Sequence, residues 1–455
     1  MFCRILFLIC LCSTLSACLS LRSGALPETA RLPQAWPQPE ASTQPPPEAW
    51  LATFDAPFLD AVVQQAVNDN YDLKQQAIAV DRARVQEKLA RADRLPSFNL
   101  SLSGQRFRPL GELSGVSEQV ELNATAAFEI DLWGKLSDRA QQAQLNRAAA
   151  ELRYLQAQRT LAANVVRASF NLISADQLQQ VFNQRLDNLQ QGLDVIEKGY
   201  RSGLNEALDV YLALNTVEQE RANVANQRQV AFEARTRLEL LLAEYPSAQI
   251  VMAAALPALP PLPAAGLPAD LLQRRPDIQA AWLDLLAADA ELAVAHKNRF
   301  PRLDLTASLR DADSAVSRLL NGGPLAFSAA ASLFQPLFQG GRLNALEEQA
   351  ALTVEQLEQR YLDVVFTSIA EVANELNRSI TLDDRFNALV QAQANASTAL
   401  TLASDQYQKG LVTFTTVLEA QRRAFDAQTA VVQLQNQRLQ TRVALLLALG
   451  GHYRS

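Results

Sequence analysis

The fold is decided by residues 182–200, FNQRLDNLQQGLDVIEKGY. The apolar side chains of this stretch alternate at spacings of four and three residues: Phe182, Leu186, Leu189, Leu193, Ile196 and Tyr200. This is the heptad spacing of a helix that packs along partner helices. The segment 135–199 contains no proline, so we expect one uninterrupted helix of roughly 100 Å at about 1.5 Å per residue. A compact globular core does not need a helix of that length.

A second stretch, 343–409, contains neither glycine nor proline. The same spacing continues there at Val365, Ile369, Val372 and Leu376. Two long helices in one chain indicate a tube or a stalk.

The sequence is internally duplicated, because three short motifs recur in the same order about 205 to 207 residues apart. Residues 94–100 are echoed by 299–305, and Leu132-Trp133-Gly134 by Leu337, Phe338 and Gly340. Tyr200, Gly203 and Leu204 return as Tyr407, Gly410 and Leu411. Each copy is therefore predicted to run helix, strand, strand, long helix, turn, helix.

Strict alternation of apolar and polar residues predicts two strands in each copy, each with one apolar and one polar face. We expect strands at about 97–107 and 118–132 in the first copy, and at about 302–310 and 325–334 in the second. Strands of this length with aromatic residues at their ends are typical of a membrane β-barrel. The alternative, two exposed hairpins on a soluble protein, would leave broad apolar faces uncovered.

Four strands cannot close a barrel, and a barrel in lipid must close because open edges leave backbone groups unsatisfied. Two copies would give eight strands, whose interior is filled by side chains. Three copies would give a 12-stranded barrel with a lumen, and twelve helices to wall a tube. Closure by several chains is therefore expected.

Residues 1–17 have the pattern of an export signal: Arg4, a short apolar run, and Leu15-Ser16-Ala17 before Cys18. This ending resembles a bacterial lipobox, which implies that Cys18 is the lipidated first residue of the mature protein. Leu19 in place of aspartate then favours the outer membrane over the inner membrane. The alternative is an ordinary secretory signal with a chance cysteine. Residues 18–57 follow as a proline-rich strap, either extended or a disordered tether.

Composition argues against an enzyme. Removal of the signal leaves Cys18 as the only cysteine, and His296 and His452 are the only histidines. Disulfides, a histidine metal cluster and histidine-based nucleophilic catalysis are therefore not expected, and no cofactor is implied. The net charge of −7 gives no reason to expect nucleic-acid binding.

The copies are predicted to span 58–243 and 277–451, joined by a proline-rich linker at 244–276. Their long helices are expected at 135–199 and 205–243, and at 342–408 and 412–449. Pro276 followed by Asp277 is a start signal for the first helix of the second copy.

With these features the chain resembles the TolC-like outer-membrane efflux factors, in particular the lipoprotein subfamily that serves resistance-nodulation-division (RND) pumps. The resemblance rests on the lipobox, the duplicated unit, the paired Tyr-x-x-Gly-Leu turns and the segment Leu267–Ile278, LPADLLQRRPDI. It covers Cys18 to about Gly451. It implies a lipid-anchored homotrimer, with a 12-stranded β-barrel in the outer membrane continued by a periplasmic α-helical tunnel. Its partners would be a periplasmic adaptor (membrane fusion protein) and an inner-membrane RND pump.

The turns at Gly203 and Gly410 are predicted to form the periplasmic tip, with each glycine in the left-handed conformation that closes a helix. The resemblance implies that adaptor hairpins dock beside these turns, which would involve Leu204 and Leu411. Simple helix C-caps are the structural alternative.

Acidic residues follow each turn, Asp209 in the first copy and Glu419 in the second. The resemblance implies that such residues constrict the closed tip as a periplasmic gate, where repulsion among copies would raise some pKa values. Some family members carry a second aspartate where this chain has Thr416. Arg422 and Arg423 are spaced to pair with Glu419 on one helix, so a surface ion pair is the alternative.

Together with this resemblance, the sequence features lead us to expect a passive exit duct of a tripartite efflux system for drugs or other small molecules. A periplasmic adaptor lipoprotein, or a duct for metal efflux or type I protein secretion, is the alternative. The cargo is not specified.

Overall fold

The computed structural model describes residues 33–37, 44, 49–108, 117–313 and 325–454. Cys18 and most of the strap predicted at 18–57 lie outside these residues. The chain divides into two compact units. The first contains Ile78–Leu152 and Gln279–Asp363, and the second contains Arg31–Ala77, Arg153–Ile278 and Val364–Ser455.

The elements repeat in the predicted order. In the first half they are α1 (Pro57–Asp69), α2 (Tyr71–Ala92), β1 (Ser97–Phe107), β2 (Ser117–Ile130), α3 (Lys135–Arg201) and α4 (Ala207–Leu241). In the second half they are α5 (Leu271–Arg274), α6 (Pro276–Lys297), β3 (Arg302–Asp313), β4 (Ala326–Phe334), α7 (Arg342–Gln408) and α8 (Phe414–Ala448). Among the described residues, no helix has an apolar stretch long enough to cross a bilayer.

The single helix predicted at the start of the first copy is divided in two at Asn70, which the sequence analysis did not indicate. Asn70 has extended backbone angles, φ −56° and ψ 128°, so α1 ends there. Its side-chain Oδ1 accepts a hydrogen bond from the Leu73 backbone N–H at 3.0 Å, which caps the start of α2. Its Nδ2 donates to the Leu241 carbonyl at 3.0 Å. A tertiary contact therefore fixes the position of the break.

The four strands form one antiparallel sheet in the order β1-β2-β3-β4. Leu100 of β1 lies opposite Ala124 of β2, and Ala307 of β3 lies opposite Ala126 and Ala329 on its two sides. One face is apolar and widely exposed, with Phe98 79% and Phe327 72% accessible. Because β1 and β4 are the outer strands, each has one edge without a partner strand among the described residues.

The second unit is built around an apolar core in which Trp50, Phe54 and Phe170 are almost completely buried. The rings of Phe54 and Phe170 lie 5.4 Å apart. The backbone N–H of Trp50 donates to the His452 carbonyl at 3.0 Å, so residues early and late in the sequence close this unit together.

The Leu267–Ile278 motif connects several segments of the same unit through hydrogen bonds. Arg275 is 7% exposed and binds the Asp277 carboxylate with two nitrogens, at 3.0 and 2.6 Å. Its third contact is with Glu371 of α7, at 2.6 Å. Arg159 of α3, also buried, donates to the carbonyls of Arg274 and Gly450 at 3.1 and 3.0 Å. The motif therefore joins the start of α6 to two long helices.

Candidate functional site: the two tip turns

The turns that join α3 to α4 and α7 to α8 have the same backbone conformation. Gly203 has φ +76° and Gly410 has φ +72°, which confirms the predicted left-handed conformation. Leu204 N–H donates to the Gly199 carbonyl at 2.8 Å, and Leu411 N–H donates to the Gln406 carbonyl at 2.9 Å. Bonds of this span satisfy carbonyls at a helix end that would otherwise lack partners.

The leucine that follows each glycine projects into solvent. Leu204 is 83% exposed and Leu411 is 71% exposed. Neither leucine contributes to the cluster beneath the turns, which consists of Ile196, Ala213, Ala403, Phe414 and Val417 with partly buried neighbours. In the isolated chain, both leucines are therefore accessible to a partner protein.

A side chain from the first turn is bonded to the second turn. Asn205 Nδ2 donates to the Tyr407 hydroxyl at 2.8 Å, and the Tyr407 ring lies 5.7 Å from that of Phe414. Asn205 Oδ1 lies 1.9 Å from the position a Cβ would take at Gly199. Glycine at position 199 is therefore what makes room for this bond, and neither residue was indicated by the sequence patterns.

Asp209 lies in the first turn of α4, where its carboxylate accepts a hydrogen bond from the Glu206 backbone N–H at 3.2 Å. A negative charge at this position is favourable because the helix N-terminus is electropositive. Glu206 precedes the helix and is exposed. Within the described part of the chain, neither carboxylate has an ion-pair partner. The E-x-x-D spacing resembles a capping box and could have indicated this role for Asp209.

Thr416 occupies the position in α8 that Asp209 occupies in α4, 207 residues earlier. Its hydroxyl lies 3.3 Å from that of Thr413, the residue at the N-cap. The first turn of α8 has no acidic residue. The turn between α7 and α8, called the second tip, therefore has hydroxyl groups at the positions where the turn between α3 and α4, called the first tip, has carboxylates.

Glu419 forms an ion pair with both of the arginines that follow it. Its Oε1 accepts from Arg422 Nη2 at 2.9 Å and from Arg423 Nε at 2.7 Å, while Oε2 accepts from Arg422 Nε at 3.0 Å. The hydrogen bonds from Arg422 and then Arg423 lower the pKa of Glu419 from 4.5 to about 2. The arginines of the same chain therefore lower the pKa of Glu419. Repulsion among copies, which the sequence analysis invoked, would raise it.

The ion pairs extend from Glu419 to a buried carboxylate on another helix. Arg422 lies 3.4 Å from Asp426, which lies 3.5 Å from Arg185 of α3. Arg185 Nε is 3.1 Å from Oε2 of Glu220, a residue of α4 that is 1% exposed. Arg185 also lies over the ring of Phe425, 5.3 Å from its centroid. Arg185 and Asp426 are far apart in sequence, so no spacing rule could have paired them.

A family model described as outer membrane efflux protein matches residues 62–244 and 267–451. The chain is 32% identical over 419 residues to the pyoverdine export outer membrane protein OpmQ of Pseudomonas aeruginosa, covering 89% of this chain and 88% of that protein. It is 29% identical over 405 residues to the cation efflux system protein CusC of Escherichia coli K12, covering 88% of each.

A solved structure has the same fold. The outer-membrane channel OprN superposes with a TM-score of 0.84 at 26% identity, and the match covers 95% of this chain and all of that one. The predicted fold class is confirmed by this similarity.

Proposed function

The chain belongs to the outer membrane efflux protein family, and we propose that three copies of it form the exit duct of a tripartite pump. It is an outer-membrane channel protein rather than an enzyme. In the proposed trimer, four strands from each copy close a 12-stranded barrel, and the helices of the three copies wall a periplasmic tunnel. The two repeats, 58–243 and 277–451, are the proposed building blocks.

The observation that carries the proposal is the four-stranded sheet, in which the outer edges of β1 and β4 have no partner strand among the described residues. Its exposed apolar face suits lipid, and its open edges do not, because a backbone group without a partner costs several kcal/mol in lipid. Pairing β4 of one copy with β1 of the next satisfies both edges. Three copies are the smallest number that leaves an open lumen.

Cysteine cross-linking tests this arrangement. A variant with serine at Cys3, Cys10, Cys12 and Cys18 provides a cysteine-free background, in which cysteines are placed along β1 and β4. We expect bonds between copies, seen as dimers and trimers on denaturing gels. Thr125→Cys with Ser308→Cys is the matched control, because these residues are register partners and should cross-link within one copy. Absence of cross-links between copies at every β1–β4 combination, with the control bond formed, would contradict the trimeric barrel.

The tip turns are the proposed docking site for a periplasmic adaptor, through which the duct meets an inner-membrane RND pump. The exposed Leu204 and Leu411 beside equivalent left-handed glycines support this role. A photoreactive residue at each leucine position should capture the same periplasmic protein in cells. Lack of any captured partner at both positions would remove the docking proposal.

Glu419 is the proposed gate residue, with Thr416 and Asp209 nearby and with Arg422 and Arg423 as its ion-pair partners. The pairing supports a gate in which charge is balanced within each copy. The relatives carry names that refer to pyoverdine and to cations, so the family accommodates different cargoes. We propose export of small molecules or ions chosen by the pump.

Cys18 is the proposed lipidation site, which would anchor the protein to the outer membrane by an acyl chain such as palmitate. Cys18→Ser should lose incorporation of a labelled fatty acid and keep much of its trimer, since the barrel has its own affinity for the membrane. Label retained by Cys18→Ser would contradict the assignment.

A further inference from the structure

We propose that the first tip surface, made of Tyr200, Leu204, Glu206, Leu208, Asp209 and Tyr211, binds a partner segment that presents a basic side chain beside apolar ones. The second tip has no carboxylates at the equivalent positions, so it cannot bind the basic side chain in the same way. The two turns of one chain are then unequal docking sites, one dependent on charge and one not. The inference rests on the proposed function, because it specifies the partner chemistry at the proposed docking site.

The apolar part of the first tip surface is unusually open. Leu204, Leu208 and Tyr211 are 83%, 62% and 72% exposed, and Tyr200 is 50% exposed. Leu208 and Tyr211 are three residues apart on α4, so they lie on the same side of the helix. A cluster of exposed leucine and tyrosine is typical of a protein interface, where tyrosine is enriched.

The second tip does not reproduce this cluster, although the backbone is equivalent. Among the described residues at the equivalent positions, only Leu411 is a large apolar side chain with comparable exposure. Thr415 replaces Leu208, while Tyr407 and Leu418 replace Tyr200 and Tyr211 and are half-buried against the cluster below. A partner therefore meets less apolar surface at the second turn.

Among the described residues, no cationic side chain is paired with the carboxylates of the first tip surface. Glu206 and Asp209 have no ion-pair partner there, whereas the nearby cations are already paired within their own helices. Arg201 lies 3.4 Å from Glu197, and Lys198 pairs with Asp194.

The cations of the second tip are occupied as well. Lys409 lies 2.6 Å from Asp405, and Arg422 and Arg423 hold Glu419. Another copy of this chain would present the same carboxylates, and the described cations named above at its turns would already be paired. A separate partner with a basic side chain supplies the missing charge, and complementary charge also speeds association at low salt.

The test compares charge removal at one tip with charge addition at the other. Chains that carry benzoylphenylalanine, an apolar photoreactive side chain, at position 204 or 411 are expressed in cells. They are then cross-linked in isolated cell envelopes to the endogenous partner. Glu206→Gln with Asp209→Asn keeps size and hydrogen-bonding oxygens. We expect a roughly threefold to tenfold loss of cross-linking at position 204 and little change at position 411.

Two matched arms complete the design. Thr413→Glu with Thr416→Asp transfers the carboxylates to the second tip and should raise cross-linking at position 411. Salt at about 1 M, where the screening length is near 3 Å, should abolish the difference between the native chain and the charge-removed variant.

The outcomes separate this inference from the proposed function. Partner cross-links at both turns that are equally insensitive to the carboxylate variants would overturn the inference and leave adaptor docking in place. Cross-links from position 204 that join only copies of this chain would overturn it too, because they identify a subunit contact. An absence of partner cross-links at both turns would instead count against the docking role itself.

Discussion

The hairpin α3–α4 and the hairpin α7–α8 have equal helix lengths, with 67 residues in each first helix and 35 in each second helix. Their turns also agree in backbone conformation at Gly203 and Gly410. The side chains along the two hairpins have diverged. The duplication therefore preserves the elements that set geometry, namely helix length and the left-handed turn.

The divergence includes charged positions. Arg185 and Glu220, which form an ion pair in the first hairpin, correspond at the same offset to Ala392 and Ala427 in the second. Glu419 of the second hairpin corresponds to Leu212 of the first. Hairpins of equal helix length thus carry different electrostatics, which allows the two turns to differ in surface charge without altering the fold.

The largest effect should come from the ion pair that only the first hairpin has. Arg185→Met leaves the Glu220 carboxylate buried with Asn223 as its remaining partner, 3.0 Å away, and should cost about 3 kcal/mol of local stability. Hydrogen exchange of α4 in detergent measures that cost. The double variant Arg185→Met with Glu220→Met should recover part of it, and a cost as large as that of the single variant would contradict the pairing.

The turn glycines should respond equally, since their conformations agree. Gly203→Ala and Gly410→Ala each place a side chain in the left-handed region and should cost about 1 kcal/mol or more. Gly192→Ala is the control. This glycine is helical with open space at its Cβ position, so alanine should stabilise α3 by up to about 1 kcal/mol. Unequal losses of stability for Gly203→Ala and Gly410→Ala would contradict the equivalence of the two backbone conformations.

The bond between the turns is expected to contribute less, about 0.5–1.5 kcal/mol. Tyr407→Phe removes the acceptor for Asn205. Gly199→Ala forces Asn205 away through the new Cβ, so Tyr407→Phe should have almost no further effect in that background. A double-mutant cycle on tip opening, measured by hydrogen exchange, tests this coupling. Additive effects of the two substitutions would show that Gly199 acts independently of the bond.

The smallest effect on stability should be that of the exposed Glu419 pair, which is best detected by titration. Because its pKa is about 2 rather than 4.5, the stabilisation is complete above about pH 4.5 and is lost as pH falls toward 2. Arg422→Gln with Arg423→Gln should raise this pKa and free the carboxylate for cations. Planar-bilayer recordings should then show stronger block by divalent cations, which Glu419→Gln abolishes. Equal block before and after loss of the arginines would argue against Glu419 at the constriction.

Much of this architecture is predictable because it depends on local rules. Period-two alternation located β1 to β4, and the absence of proline located α3 and α7 within a few residues. The pairing of Glu419 with Arg422 also follows from spacing on one helix.

The remaining features depend on contacts between segments distant in sequence. The break at Asn70 needs the Leu241 carbonyl, and Glu220 needs an arginine from α3. Side chains of this kind look like ordinary polar positions on a heptad pattern, so periodicity alone does not single them out.

The open edges of the four-stranded sheet also have a genetic consequence. If each barrel needs an intact β1 and β4 from all three copies, one defective copy prevents two normal copies from forming a closed barrel. A cell that makes equal amounts of normal and edge-defective chains would then assemble only about one barrel in eight from normal chains alone, given random mixing in a closed threefold ring. Mutations at these edges should therefore be dominant over the normal allele, whereas mutations that stop synthesis of the chain should be recessive.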